Sequence, residues 1–232
     1  NHPNTNYILL SRPYGLINHG FNPDTVLQID GFTDGNIREY LEAFLGLRND
    51  REKSVDKLLK IIYENVVLRD YAHTPLMLSY IMIVYVIQEN AESVLMGINS
   101  IYELQQTVFQ WILGHAKRKR EFPLGDSMVT KIGDFAFEEL EIKKSFIYKA
   151  YPMDLYEEVA TYLSALGLGS KKQVGQGAGW QFSFDSITFQ EFLAANHLVK
   201  RLTPDAFLQL IGDRFYWNFC LMLIGLYSKN TS

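Results

Sequence analysis

Hydrophobic and polar positions change period repeatedly along the 232-residue chain, and each change predicts a change of element. YILLS at residues 7–11 is almost wholly apolar between polar flanks, the pattern of a strand covered on both faces. One strand cannot form a sheet, so its partners are expected before Asn1 or in a neighbouring molecule. RPYG at residues 12–15 leaves that strand through a proline and a glycine, and VLQIDGF at 26–32 reads as a second short extended segment. From Thr33 the period becomes helical: Thr33 suits an N-cap, and Ile37, Tyr40, Leu41, Phe44 and Leu45 predict a helix over 34–46. A second helix begins at Ser54, with Val55, Leu58, Leu59, Ile61 and Ile62 as its apolar face. Pro75 follows Thr74 where a first helical turn would start, and the apolar run to about Gln88 completes a three-helix bundle. QENAESVLMGINS at 88–100 then reads as the joint between two domains.

The second half opens on a helix in SIYELQQTVFQWILGHAKRKR, whose Ile101, Leu104, Val108, Trp111 and Ile112 share a face and whose basic end complements the helix dipole. Amphipathic segments follow at 126–141 and 153–166, the latter stopped by Gly167 and Gly169. KKQVGQGAGWQFSF at 171–184 alternates about a glycine-rich middle, as a β-hairpin does, and a helix is expected at 188–200. Three helices and a hairpin are a winged-helix-like order. Pro204 starts a further helical region, in which FYWNFCLMLIGLY is too apolar to stand exposed.

Composition places the chain among ordinary globular proteins: 47% hydrophobic, 14% aromatic and 21% charged, with a formal net charge of -4. That balance lacks the basic excess of a nucleic-acid binder. Cys220 is the single cysteine, which excludes an internal disulfide framework and fits a reducing, cytoplasmic setting. PLMLSYIMIVYVI at 75–87 is shorter than the roughly 20 residues a bilayer span takes, so no membrane partner is expected.

Candidate chemistry is sparse. No G-x-x-x-x-G-K-[ST] phosphate loop occurs, the glycines of VGQGAGW sit in the hairpin, and nucleophile signatures such as G-x-S-x-G are absent. His2, His19, His73, His115 and His197 are widely spaced with no H-E-x-x-H, so they read as solvated or structural and no metal site is assigned. The KRKR cluster at 117–120 ends a helix, where cations complement the dipole, and nucleic acid is not the partner expected.

Five stretches, in order, carry a resemblance. ILLSRPYG, IDGFTDGNIREYLEAF, HTPLMLSYI, IYELQQTVFQWIL and FSFDSITFQEFLAA together resemble the C-terminal half of a NACHT module, the nucleotide-switched core of NOD-like receptors and related signal-transduction ATPases. The last stretch is similar to the signature F-x-F-x-H-x-[ST]-[FL]-Q-E-[FY]-[FL]-A-A, with Ser186 where the family has histidine.

The resemblance implies a mainly α fold: the end of an α/β nucleotide-binding domain with its remnant strand (1–32), a first helical domain (33–92), a winged-helix domain (96–200) and the start of a second helical domain (201–232). It implies nucleotide contacts at Arg12 as a phosphate sensor, Pro75 against adenine and Ser186 facing phosphate, with no catalytic residue in the chain itself. Serine is shorter than histidine and uncharged, so the lock on an ADP state would be weaker or made by another residue. The implied cofactors are ATP or ADP with Mg in a longer parent and none for this chain alone. The implied partners are an upstream nucleotide-binding domain and, on activation, further copies of the protein. A reading of another class is a non-catalytic winged-helix DNA-binding or helical protein-interaction module. Asp185 and Ser186 also have a simpler reason to stand at a strand-to-helix seam, because Ser186 or Thr188 suits an N-cap.

Overall fold

The computed structural model describes residues 24–46, 51–118, 126–145, 151, 156–174 and 179–230. The chain divides into two compact units, Asn1–Gly31 and Phe32–Ser232. The expected strand at 7–11 lies outside the described residues. Residues 25–31 of the first unit carry neither helix nor strand, so the extended segment expected there makes no ladder. A strand requires a partner for its backbone groups, and the described residues supply none here.

The second unit is mainly helical, with one two-stranded antiparallel sheet among the described residues. Helix α1 (Asp34–Leu45) starts from a full capping box: Thr33 accepts from the Asn36 N–H, and the Asn36 side chain accepts from the Thr33 N–H. It buries Ile37, Leu41 and Leu45, three of the five positions that its periodicity singled out. Helix α2 (Arg51–Glu64) buries Val55, Leu58, Leu59, Ile61 and Ile62. The chain then breaks at Asn65 and resumes as α3 (Val66–Ala72), an element the apolar spacing did not announce.

Asn65 explains that break. Its Oδ1 accepts from the N–H groups of Val67 and Leu68, capping α3, while its Nδ2 donates to the carbonyls of Leu95 (3.1 Å) and Ile98 (2.9 Å). Helix α4 (Pro75–Ile87) intervenes in sequence, and Leu95 belongs to α5 (Ala91–Met96), within the stretch that had read as a joint. One buried amide thus serves both as a cap and as a tie across 30 residues. Asn65→Ala is expected to lower the unfolding free energy by about 2 kcal/mol, through a lost cap and an Ile98 carbonyl left without a donor, while the Leu95 carbonyl keeps the Ile98 N–H. Asn65→Asp should recover only the cap. Urea denaturation of the two variants separates the contributions, and an Asn65→Asp variant as stable as the parent would count against the tie.

Helix α6 (Ile101–Arg118) leads into α7 (Asp126–Ser145), and α8 (Glu157–Ala165) precedes the hairpin β1 (Gly169–Val174) and β2 (Gly179–Phe184). The helix expected from 153 begins later because Tyr156 is left-handed, with φ 55°, and so stands outside the helix as its N-cap. The register pairs Gly169 with Phe184 and Lys172 with Gln181. Helix α9 (Ile187–Leu198), α10 (Pro204–Ile211), a 3-10 turn (Arg214–Tyr216) and α11 (Trp217–Asn230) complete the unit. Buried side chains from Ile37 to Leu226 form one contiguous core.

Two features set the packing around α7 and α9. Phe135 on α7, fully buried, is ringed by Tyr151, Tyr156, Trp180, Phe182 and Phe184 at centroid separations of 5.2–6.1 Å. Gly133, two residues earlier, lies so close to α9 that a Cβ placed there would stand 2.2 Å from the His197 Cβ. The missing side chain lets the two helices approach.

The core is rich in phenols whose ionisation burial opposes. Tyr151 donates to Glu139 at 2.6 Å and Tyr216 donates to Glu141, and burial followed by these carboxylates pushes both phenols up. Burial pushes the Cys220 thiol up to about 11. A group with a raised folded pKa gives up its proton first in the unfolded chain, so its stabilisation is complete below the unfolded value and is lost as pH climbs past it. The unfolding free energy, and with it the urea midpoint, is therefore expected to hold from pH 7 to about 8, and the free energy then to fall by up to about 1.4 kcal/mol per pH unit for each such group. A midpoint constant to pH 11 would refute this account.

Candidate functional site

Of the three positions that the family resemblance marks, the two that are described, Pro75 and Ser186, lie at the starts of different helices. Arg12 falls outside the described residues. Pro75 is the first residue of α4, where its lack of an N–H costs nothing and its fixed φ suits the turn. Ser186 is the N-cap of α9, with extended dihedrals (φ −133°, ψ 120°) and its Oγ accepting from the Phe189 N–H at 3.3 Å. Of the two caps that the sequence allowed, Ser186 is the one used. Thr188 lies inside the helix and accepts from the Ser186 hydroxyl at 3.3 Å.

Pro75 is held by a closed circuit of local contacts. The Phe32 N–H donates to the His73 carbonyl at 2.7 Å, and His73 Nδ1 meets the Phe32 carbonyl at 2.6 Å. A carbonyl only accepts, so the proton of this bond sits on Nδ1. Phe32 packs its ring on Tyr40 at 5.6 Å, the Tyr40 hydroxyl meets Ser79 Oγ at 2.8 Å, and Ser79 donates to the Pro75 carbonyl at 2.9 Å. His73 is thereby a structural histidine. The pyrrolidine ring of Pro75 is left exposed, available to a flat apolar surface.

Tyr80 brings the α4 helix to the Ser186 seam. It lies five residues after Pro75, about 7.5 Å further along the helix axis, is 9% exposed, and packs edge-on against Phe189 at 5.9 Å. Burial raises its phenol, and the nearby Ser186 hydroxyl opposes that rise. The Ser186 hydroxyl therefore has the Phe189 N–H and the Thr188 hydroxyl as partners, with Tyr80 packed on Phe189 beside it. It carries a single proton, so contact with an external anion requires that proton to leave its internal acceptor. Nothing in the sequence distinguished Tyr80 from a core aromatic on an apolar helix, and only its place opposite the seam gives it a second role.

The neighbouring Gln190 and Glu191 are buried at the centre of the same stretch. Gln190 Nε2 donates to the Ala136 carbonyl at 3.0 Å, tying α9 to α7 immediately behind the cap. At the hairpin, Lys171 is committed to Glu157 at 2.6 Å and lies 5.4 Å from the Trp180 ring centroid. Of the basic cluster at 117–120, side chains lie outside the described residues.

Pro75 and Ser186 line neither of two nearby cavities, one of about 400 Å³ between α7, α9 and α10 and one of about 250 Å³ between α6, α7 and α9. Among the described residues no three His, Cys, Asp or Glu side chains gather as a metal site, and no helix is long and apolar enough to cross a membrane. The hydroxyls of Tyr80, Ser186 and Thr188 provide hydrogen bonding rather than acid–base chemistry. No protein-family model matches the chain, and no curated protein matches it.

Proposed function

We propose that this chain is the C-terminal part of a NACHT-type signalling ATPase, in which nucleotide bound by an upstream domain controls the position of a winged-helix unit. The observation that carries the reading is the meeting of α4, which opens on Pro75, with the start of α9 beside Ser186, through the Tyr80–Phe189 ring contact at 5.9 Å. The element order α6, α7, α8, β1, β2, α9 supports a winged-helix-like unit, and α1 to α5 would be the first helical domain. In this reading Arg12 senses the terminal phosphate and Pro75 packs on adenine. Ser186 replaces the family's charged ligand with a neutral hydroxyl already engaged inside the protein.

The two nucleotide states would act through their different affinities for two arrangements of the helices, since a ligand shifts an equilibrium only by that difference. ADP would favour the closed arrangement, and exchange for ATP would release the winged-helix unit and permit assembly. Mg-nucleotide, when bound upstream, supplies the phosphate charge that this part of the switch reads.

The test is nucleotide affinity in the longer parent. Ser186→His is expected to tighten ADP binding about tenfold, by adding a charge-assisted hydrogen bond. Pro75→Ala should weaken ADP and ATP alike. ADP and ATP affinities unchanged in both variants would remove the basis for the proposal. The alternative of a DNA-binding wing gains nothing from Lys171, whose ammonium is paired with Glu157.

A further inference from the structure

The cleft of about 250 Å³ between α6, α7 and α9 has a composition that stands apart from the rest of an acidic chain. Its floor is apolar, formed by Phe109, Leu113, Ile132 and Leu193. Its rim carries Lys200 and Arg201 together with the carboxamides of Gln106 and Gln110, and none of its lining residues is an aspartate or glutamate. The back wall is His197, whose side chain is only 8% exposed and whose Nε2 is 2.6 Å from Asp134. Arg201 approaches the same Asp134 oxygen at 3.5 Å, so this carboxylate is engaged by both side chains. The wall exists because Gly133 has no side chain to keep His197 away.

We propose that this cleft binds a small carboxylic acid with a compact branched or aromatic body. The argument rests on the donors. Lys200 and Gln110 have no hydrogen-bond or ion-pair partner among the described residues. The Gln106 oxygen lies 3.4 Å from the Tyr102 hydroxyl, and its amide hydrogens stay available. Asn196 is already satisfied, accepting from Tyr102 and donating to the Phe192 carbonyl, and so takes no part. Carboxylate oxygens complement a rim of ammonium and amide N–H groups, while an apolar body covers the floor. The volume is below the usual range of about 300–1,000 Å³ for drug-sized ligands, which limits the occupant to a short acid.

The probe is 4-methylpentanoate, titrated into the whole 232-residue chain and followed by the Gly133 amide and the Leu113 and Leu193 methyl resonances. 4-Methylpentylamine, of the same shape and opposite charge, is the control. Saturable shifts at these positions with a Kd on the order of 1 mM are expected for so small a ligand. Gln110→Glu and Lys200→Glu, both at exposed positions, should each weaken binding at least about tenfold by placing a carboxylate on the rim. The proposal is overturned if the acid produces no shift up to about 30 mM, if the amine produces the same shifts, or if either variant binds as the parent chain does.

Discussion

Replacing Phe135 with alanine is expected to lower the unfolding free energy by about 3–5 kcal/mol, the loss typical of a large buried aromatic. The ring is fully buried and stands at the centre of the hairpin unit, between α7 and side chains from β2, Tyr151 and Tyr156. Trp180 and Tyr151, themselves stacked at 4.9 Å, face it from one side and cannot collapse into the space without breaking the backbone pair that joins residues 151 and 180. The vacated volume therefore stays open in part, and a cavity cost adds to the lost transfer energy. Phe135→Leu should recover most of the loss, leaving about 1–1.5 kcal/mol. Urea denaturation with an unchanged slope is the measurement. An alanine variant within about 1 kcal/mol of the parent would mean that the aromatic cluster contributes little.

Gly169→Ala is the second large effect, expected at about 3 kcal/mol. A Cβ at this position would lie 2.4 Å from the Phe182 ring and 2.5 Å from the Ser183 carbonyl oxygen. A ring can turn aside, but a backbone carbonyl within the β-ladder cannot do so without loss of pairing. Gly169 is paired with Phe184, and the adjacent Leu168 carbonyl accepts from the Asp185 N–H at 3.2 Å, so displacement of β1 would reach the seam itself. The α9 cap should loosen, and the Phe189 amide, which donates to Ser186, should exchange faster with solvent. Destabilisation without faster exchange at Phe189 would show that hairpin and cap are independent.

Legibility in the sequence followed the local physics. Thr33, Pro75 and Ser186 mark helix starts through the chemistry of their own side chains, and those three starts appear where the residues stand. Helix α3 was missed because its seven residues are too few for a clear period, and its cap is a buried asparagine whose other partners are 30 and 33 residues away. The 88–100 stretch looked like a joint because it is polar and short of apolar repeats. Its helix α5 depends on Asn65, which no local reading connects to it. At the candidate site, Ser186 was visible through its motif and Pro75 through its place before an apolar run. Tyr80 was not, since its role arises from a contact between α4 and α9, 106 residues away at Ser186. The proposed carboxylate cleft was equally hidden: Gln110 and Gly133 lie on α6 and α7, Lys200 stands in the turn after α9, and the three share no spacing.

The different burial of the three tryptophans provides the protein with separate optical reporters. Trp180 is sealed in the hairpin core at 1% exposure, Trp111 stacks half-buried on His115, and Trp217 at the start of α11 is 55% exposed with the Arg214 guanidinium over its ring. An aqueous quencher such as iodide should extinguish the red-shifted emission of Trp217 and leave the blue-shifted emission of Trp180. A chain with Trp111→Phe and Trp217→Phe would then report hairpin packing alone, while quenching in the parent chain would follow whatever comes to cover the exposed face of α11.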